Sequence, residues 1–240
     1  FLQCLADKYF YDVYLCKDCL NERNQPGPNA FDNAILSDGA ISVYEIGDED
    51  TDYKEVFKDV YKQGCSDIPL FVFNYTDYML WKKYSDEMRG NNTKKGSRER
   101  DAFFNALGCS DFELEPFNNF YFSRTRKSLE HFYPQAKAGD GKALSAYDIN
   151  CFGNFAMIGA EANSSGSNRN PKQKINIYTD SKSDQVSVAS LKFRIMMQIC
   201  QDNNKAMLSG AIHRPADMEW DADDMQEHQQ KMLDIIIVNG

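Results

Sequence analysis

The sequence predicts an α+β fold, a mostly helical scaffold carrying a small strand–strand–helix insert. Three observations predict it. Apolar residues recur at spacings of three and four in segments spread along the chain, the period of a helix packed on one face. Two stretches near the middle, 117–126, aromatic-rich and partly alternating, and 149–158, read as strands. Asn, Gly, Pro and Ser cluster between these segments and punctuate them. The 240 residues are 42% hydrophobic and 13% aromatic, which excludes disorder, and 14 Gly with 7 Pro exclude collagen-like and Pro-rich chains.

The elements follow in order. Residues 1–24 mix Leu and aromatics and predict a weakly signalled helix, and 24–39, with Asn24-Gln25-Pro26-Gly27-Pro28-Asn29, reads as loop. Residues 50–64 predict a helix with Tyr53, Val56, Phe57, Val60 and Tyr61 on one face and Gly64 as its C-terminal cap. A second helix runs over 68–88, and a third over 99–107, ended by Gly108; the basic segment 90–97 between them reads as loop. The aromatic strand starts at Phe117 and runs toward His131. Residues 135–145 form a polar loop, 149–158 the second strand, and 161–171 a turn. Pro171 suits the first position of a helix reaching Tyr178. Helices over 187–200 and 221–238 complete the scaffold, with Val188, Leu191, Ile195 and Ile199 on one stripe of the first.

Seven cysteines at irregular spacings predict reduced thiols in a cytoplasmic protein rather than a disulfide framework. Cys16 and Cys19 form one C-x-x-C, but no second pair stands near to complete a zinc site. No apolar run approaches the ~20 residues of a membrane helix. The chain begins Phe-Leu-Gln-Cys without Met, as expected of a piece of a longer protein. Net charge is −9, yet it is segregated: residues 124–174 hold 8 bases and 4 acids, while 1–80 hold 6 bases and 15 acids. A basic middle between acidic ends leaves phosphate binding open, because a ligand meets the local field.

Of the three histidines, His213 and His228 have the context of surface or boundary residues. His131 stands in Glu130-His131-Phe132-Tyr133-Pro134-Gln135, at the end of the aromatic strand. Gly153-Asn154-Phe155-Ala156-Met157-Ile158 and Ala162-Asn163-Ser164-Ser165-Gly166-Ser167-Asn168 follow. This order and spacing resemble the HNH, or His-Me finger, nuclease motif, and within it the C-terminal domain of GmrSD-type restriction and anti-phage defence proteins. The resemblance covers most of 68–200. Gly166 stands where that family usually has a hydrophobic residue, Ala156 replaces its usual Thr, and the interval from Asn168 to Lys172 is one residue longer than the family's.

The resemblance implies a ββα-metal insert at about 117–178, within a nuclease domain spanning 67–240, and makes 1–66 a helical remnant or linker. It implies a bacterial, metal-dependent DNA endonuclease that restricts foreign or modified DNA. His131 would be the general base, since imidazole is largely neutral at pH 7 and accepts a proton from water. Glu130 and Asn163 would hold one Mg²⁺ or Mn²⁺, a hard ion suited to oxygen ligands. Asn154 would orient the His131 ring or support its loop. Arg124, Arg126, Lys127, Asn168, Lys172 and Lys174 would contact DNA. The expected partners are DNA and an N-terminal nucleotide-hydrolysing domain, with a homo-oligomer a further expectation and no membrane. Taken singly, each motif has a structural explanation: a strand-end ion pair for Glu130 and His131, a turn residue for Asn154, a helix cap for Asn163. Two rivals follow, a nuclease-like DNA-docking or sensor module without catalysis, and a helical interaction domain in which these side chains lie far apart.

Overall fold

The computed structural model describes residues 2–21, 25–30, 32, 50–62, 67–88, 98–110, 115–123, 126–137, 139, 144–159, 168–178 and 190–237. The loop at 90–97, the Gly64 cap, Arg124 and Asn163 lie outside them. The chain divides into two compact units, Phe1–Tyr75 with Ile236–Gly240, and Thr76–Ile235.

In the first unit, helix α1 (Leu2–Tyr9) runs into a π-helical turn, Phe10–Tyr14, and a 3₁₀ turn, Lys17–Cys19. Helix α2 (Tyr53–Val60) starts on Asp52, whose carboxylate accepts from the amides of Lys54 and Glu55. Aromatic side chains hold this unit: Tyr14 stacks on Phe71 with ring centroids 4.4 Å apart, and the Tyr61 hydroxyl donates to the Tyr14 carbonyl at 2.8 Å. The irregular aromatic pattern of the first 24 residues thus reflects packing, not helical period. Cys16 and Cys19 carry free thiols, with Cys19 Sγ donating to Cys16 Sγ at 2.9 Å.

Helix α3 (Leu70–Met88) crosses from one unit into the other. In the second unit, α4 (Arg98–Ala106) ends at Gly108, whose φ of +87° is the left-handed conformation that glycine adopts at little cost. The aromatic strand expected from Phe117 begins later. Glu115–Asn118 is a short helix, α5, and Phe117 is buried against Tyr84, 4.9 Å between centroids, and Phe104, 5.5 Å. Its burial comes from this cluster, so the aromatic residues carry no strand alternation. Strand β1 is Arg126–His131 and does end at the histidine.

The second strand is also shorter than expected. Ser145 and Asp148 form a capping box, each side chain meeting the other's amide, and wind Ala146–Ile149 into helix α6. A 3₁₀ turn, Phe152–Asn154, follows, and β2 is Phe155–Gly159. The strands pair antiparallel, His131 opposite Phe155 and Glu130 opposite Ala156, with an irregularity between Arg126 and Ser128. All of β2 is buried, which explains its continuous apolar run. Helix α7 (Pro171–Tyr178) matches expectation, and α8 (Leu191–Leu208) runs beyond residue 200. Helix α9 is Ala222–Ile236. Helix α8 packs on β2 and α7, and the core joins Phe132, Ile158, Ile175, Phe193, Met196, Trp220 and Met225. Among the described residues, no helix is long and apolar enough to cross a membrane.

Candidate active site

The site is built where β1 ends. Antiparallel pairing brings His131 beside Phe155, and the two rings meet with centroids 3.9 Å apart. His131 Nε2 lies 3.1 Å from Asn150 Oδ1. The Asn150 amide is oriented by its own Nδ2, which donates to the Ala146 carbonyl at 2.9 Å. Its oxygen therefore faces the imidazole, and an amide oxygen only accepts. Nε2 must carry the hydrogen, which leaves Nδ1 as the basic nitrogen. Burial lowers the His131 pKa below its usual value, the Asn150 hydrogen bond raises it, and the charge of Lys174 lowers it further. Burial and the Lys174 charge thus favour the neutral ring.

Glu130, one residue earlier, is buried, and the Lys174 ammonium pairs with its Oε1. The ammonium is within hydrogen-bonding reach of Oε1, so the pair is both ionic and hydrogen-bonded. The same ammonium donates to the His131 carbonyl. Burial raises the Glu130 pKa and lowers that of Lys174, and each partner's charge opposes the shift of the other. The pair joins β1 to α7, whose first turn is set by Asn170 accepting from the Gln173 amide at 2.9 Å.

Asn154 does not touch the His131 ring. It is fully buried and spends its whole hydrogen-bonding capacity on the chain around it. Its Nδ2 donates to the carbonyls of Tyr133 at 3.0 Å and Ile149 at 2.9 Å, and its Oδ1 accepts from Tyr133 N at 2.8 Å and Trp220 Nε1 at 3.2 Å. Of its two expected roles, the geometry corresponds to loop support. A second clamp comes from Lys192 at the start of α8. Its ammonium donates to the carbonyls of Phe152 at 2.9 Å and Phe155 at 2.6 Å.

The expected DNA contacts separate. Lys127 and Asn168 are exposed, and Lys172 is half-exposed with its ammonium 3.6 Å from Glu219. Arg126 and Lys174, expected to reach phosphates, are buried. Arg126 faces the fully buried Asp77 at 3.4 Å, and Lys174 faces Glu130. A buried guanidinium needs a counter-charge, and Asp77 supplies it while accepting from the Lys192 amide at 3.0 Å. Burial raises the Asp77 pKa to about 6 against the opposing charge of Arg126. Asn163 and Arg124 lie outside the described residues.

Sequence reasoning missed Asn150 and Lys192. The Ser145-x-x-Asp148 capping box was the available signal for Asn150, since it places that residue at the end of a helical turn beside the strand. Lys192 carries no such mark; an apolar-rich helix start conceals a buried amine.

Glu130 and His131 are consecutive residues at the end of β1, Glu130 against Lys174 and His131 against Asn150 and Phe155. The carboxylate is a hard oxygen donor of the kind Mg²⁺ or Mn²⁺ takes, and its Oε1 is engaged by the Lys174 ammonium. The donor type thus fits a divalent ion, with Lys174 as a competing cation. Among the described residues, no group of three or more His, Cys, Asp and Glu side chains is arranged to hold a metal.

A family model described as the C-terminal domain of GmrSD restriction endonucleases matches residues 58–235. No curated protein and no solved structure matches the chain.

Proposed function

The chain belongs to the family of GmrSD restriction endonuclease C-terminal domains, and from that premise we propose that it is a metal-dependent DNA endonuclease of the HNH type. The observation that carries this reading is the His131 imidazole at the end of β1, with Nε2 directed at Asn150 Oδ1 and Nδ1 left as the basic nitrogen. His131 takes the proton of the attacking water through Nδ1. Asn150 keeps the tautomer, and Phe155 limits rotation of the ring. Asn154 and Lys192 hold the 149–155 turn so that Asn150 and Phe155 keep their places.

Glu130 and Asn163 would hold one Mg²⁺ or Mn²⁺. Such an ion, when bound, neutralises charge on the scissile phosphate and the departing 3′ oxygen. Lys127, Asn168 and Lys172, which are exposed, would meet the DNA backbone, and Arg124 joins them as a proposal from sequence. In the full-length protein the domain works with an N-terminal nucleotide-hydrolysing partner, in the bacterial cytoplasm, against foreign or modified DNA, with pairing of two copies a route to double-strand cuts.

The test is cleavage of supercoiled plasmid, modified and unmodified, with Mg²⁺ or Mn²⁺, by this chain and by His131→Ala. General-base loss costs about a hundred- to ten-thousandfold, so cutting should vanish in the variant while its melting temperature holds. Equal cutting by both proteins would remove His131 as the base.

One observation favours a second reading, a DNA-docking module without catalysis: the Glu130 charge is already neutralised by Lys174. That reading expects a mobility shift with plasmid and no cutting under any metal, by this chain or by the full-length protein.

A further inference from the structure

A thiol buried in a core is inert, whereas two neighbouring thiols open to solvent can exchange with a disulfide. Cys109, Cys151 and Cys200 are of the first kind. All three are buried, and burial raises the pKa of each, that of Cys109 to about 12. Cys16 and Cys19, in the first unit, are placed differently. Cys19 is exposed and Cys16 partly so.

Local structure brings this pair together. Cys16 caps the 3₁₀ turn Lys17–Cys19, and the Cys19 amide donates to the Cys16 carbonyl at 3.0 Å. Such a turn keeps its end Cα atoms within about 7 Å, and a disulfide spans about 4.4–6.8 Å between Cα atoms. The side chains already converge, with Cys19 Sγ donating to Cys16 Sγ at 2.9 Å. Closing that gap to a bond moves the sulfurs by less than about 1 Å. The chain after the turn folds back on itself, Leu20 bridging Pro26 and the Asn21 amide donating to the Gln25 carbonyl at 2.9 Å. The pair therefore sits on an anchored loop.

The two sulfurs are not equivalent. The hydrogen bond to Cys16, then burial and the charges of Cys16, Asp18 and Asp12, raise the Cys19 pKa to about 11. Cys19 keeps its proton, and Cys16 is the accepting sulfur. A thiol held protonated adds no thiolate stability to the reduced form, which favours the disulfide.

We propose that Cys16 and Cys19 form a reversible redox modification site, converted to an intramolecular disulfide by a small disulfide of the glutathione kind, with Cys16 as the attacking sulfur. The site is independent of the nuclease reading. The Cys16 thiol loses its proton to solvent and its thiolate attacks one sulfur of the small disulfide. A mixed disulfide forms and a small thiolate leaves. The Cys19 thiol passes its proton to solvent and attacks Cys16 Sγ. The Cys16–Cys19 bond forms, the mixed disulfide breaks, and a second small thiolate leaves. The two released thiolates take up the two protons. Two protein thiols are thus oxidised while one small disulfide is reduced to two thiols. In a reducing compartment the pair rests as thiols and bonds when the small disulfide accumulates.

The full chain is incubated with oxidised glutathione, its remaining thiols are alkylated, and it is digested with trypsin. Trypsin cuts after Lys17, between the two cysteines, so the new bond joins peptides 9–17 and 18–23. The joined peptides should hold most of Cys16 and disappear after treatment with dithiothreitol. In Cys19→Ser the reaction should stop at a glutathione adduct on peptide 9–17. In Cys16→Ser an adduct on Cys19 should form about tenfold or more slowly than that one. Equal melting temperatures of the three proteins show that each variant is folded.

Glutathione adducts without joined peptides in the parent overturn the site. Unmodified Cys16 and Cys19 overturn it too, as does a disulfide from either of them to another cysteine. Adducts that form equally fast on the two variants overturn Cys16 as the attacking sulfur.

Discussion

An imidazole is an effective base only while one ring nitrogen keeps its proton and the other stays open. At His131 that condition is met by a single amide, Asn150, which is itself fixed by the Ala146 carbonyl. Replacing Asn150 by Ala removes the acceptor at Nε2 and frees the tautomer. The expected outcome is a fall in kcat of about tenfold or more with KM little changed, because a misplaced base impairs proton transfer rather than binding. The Asn150 hydrogen bond also raises the His131 pKa against burial, so its loss moves that pKa lower still. In the proposed mechanism activity requires the neutral ring. In the parent chain the rate should therefore hold below pH 6.5 and fall only as pH drops through the lowered pKa; in Asn150→Ala the acidic limb shifts to lower pH. A pH–rate profile of both proteins checks this. That Glu130 and His131 close a strand was legible in the sequence because they adjoin in one motif. Asn150 was not, because its role depends on a helical turn and a strand end meeting in space.

Between elements, the decisive contacts are backbone ones. A Cβ added to Gly153 would lie 1.7 Å from the Met225 carbonyl oxygen and 3.0 Å from the Gln229 amide nitrogen, both on α9. Helix α9 therefore packs directly on the backbone of the 149–155 turn, where Gln229 Oε1 also accepts from Phe152 N at 2.8 Å. Gly153→Ala must push the helix away or distort the turn. A loss of about 1–3 kcal/mol is expected, as for other overpacked cores, read as a lower urea midpoint. Activity should fall with it, since Asn150 and Asn154 flank that glycine. The Gly-Asn pair was legible as a motif, but the reason for the glycine lies in a helix some 70 residues later. The strand boundaries were misread for a related cause. Phe117 is buried by Tyr84 and Phe104 whereas Tyr121 and Phe122 are exposed, and a period-two pattern cannot be told from scattered aromatics without knowing their partners.

Across the second unit, buried charge governs the dependence of stability on pH. His228 is fully buried, and neither ring nitrogen has a hydrogen-bond partner among the described residues. Its pKa is lowered well below the usual value, first by burial and then by the charges of Lys192 and Lys231. A histidine with a lowered folded-state pKa contributes stability that is present above about pH 6.5 and lost as pH falls toward that folded value. His131 acts in the same direction. Asp77 and Glu130 act oppositely, since their raised pKa values favour the folded state once they protonate. For Asp77 that gain sets in as pH falls below about 6. The urea midpoint should drop between pH 7 and pH 5, with the carboxyls offsetting part of the loss. His228→Leu keeps an apolar side chain in the core and should lose distinctly less over the same interval; an identical drop would clear His228 of the effect.

What the sequence by itself determined is what depends on neighbours along the chain: the helical period, the Pro171 start and Gly108 stop, the composition of the insert, and the family whose model spans 58–235. The tertiary structure decided what each charged or polar side chain faces. It turned Arg126 and Lys174 inward onto Asp77 and Glu130, gave Asn154 to the loop, and set Asn150 on the imidazole. The physical reason is that apolar burial follows a pattern repeated over many residues, whereas the partner of a buried charge is one group, brought from a distant segment by the packing of everything else.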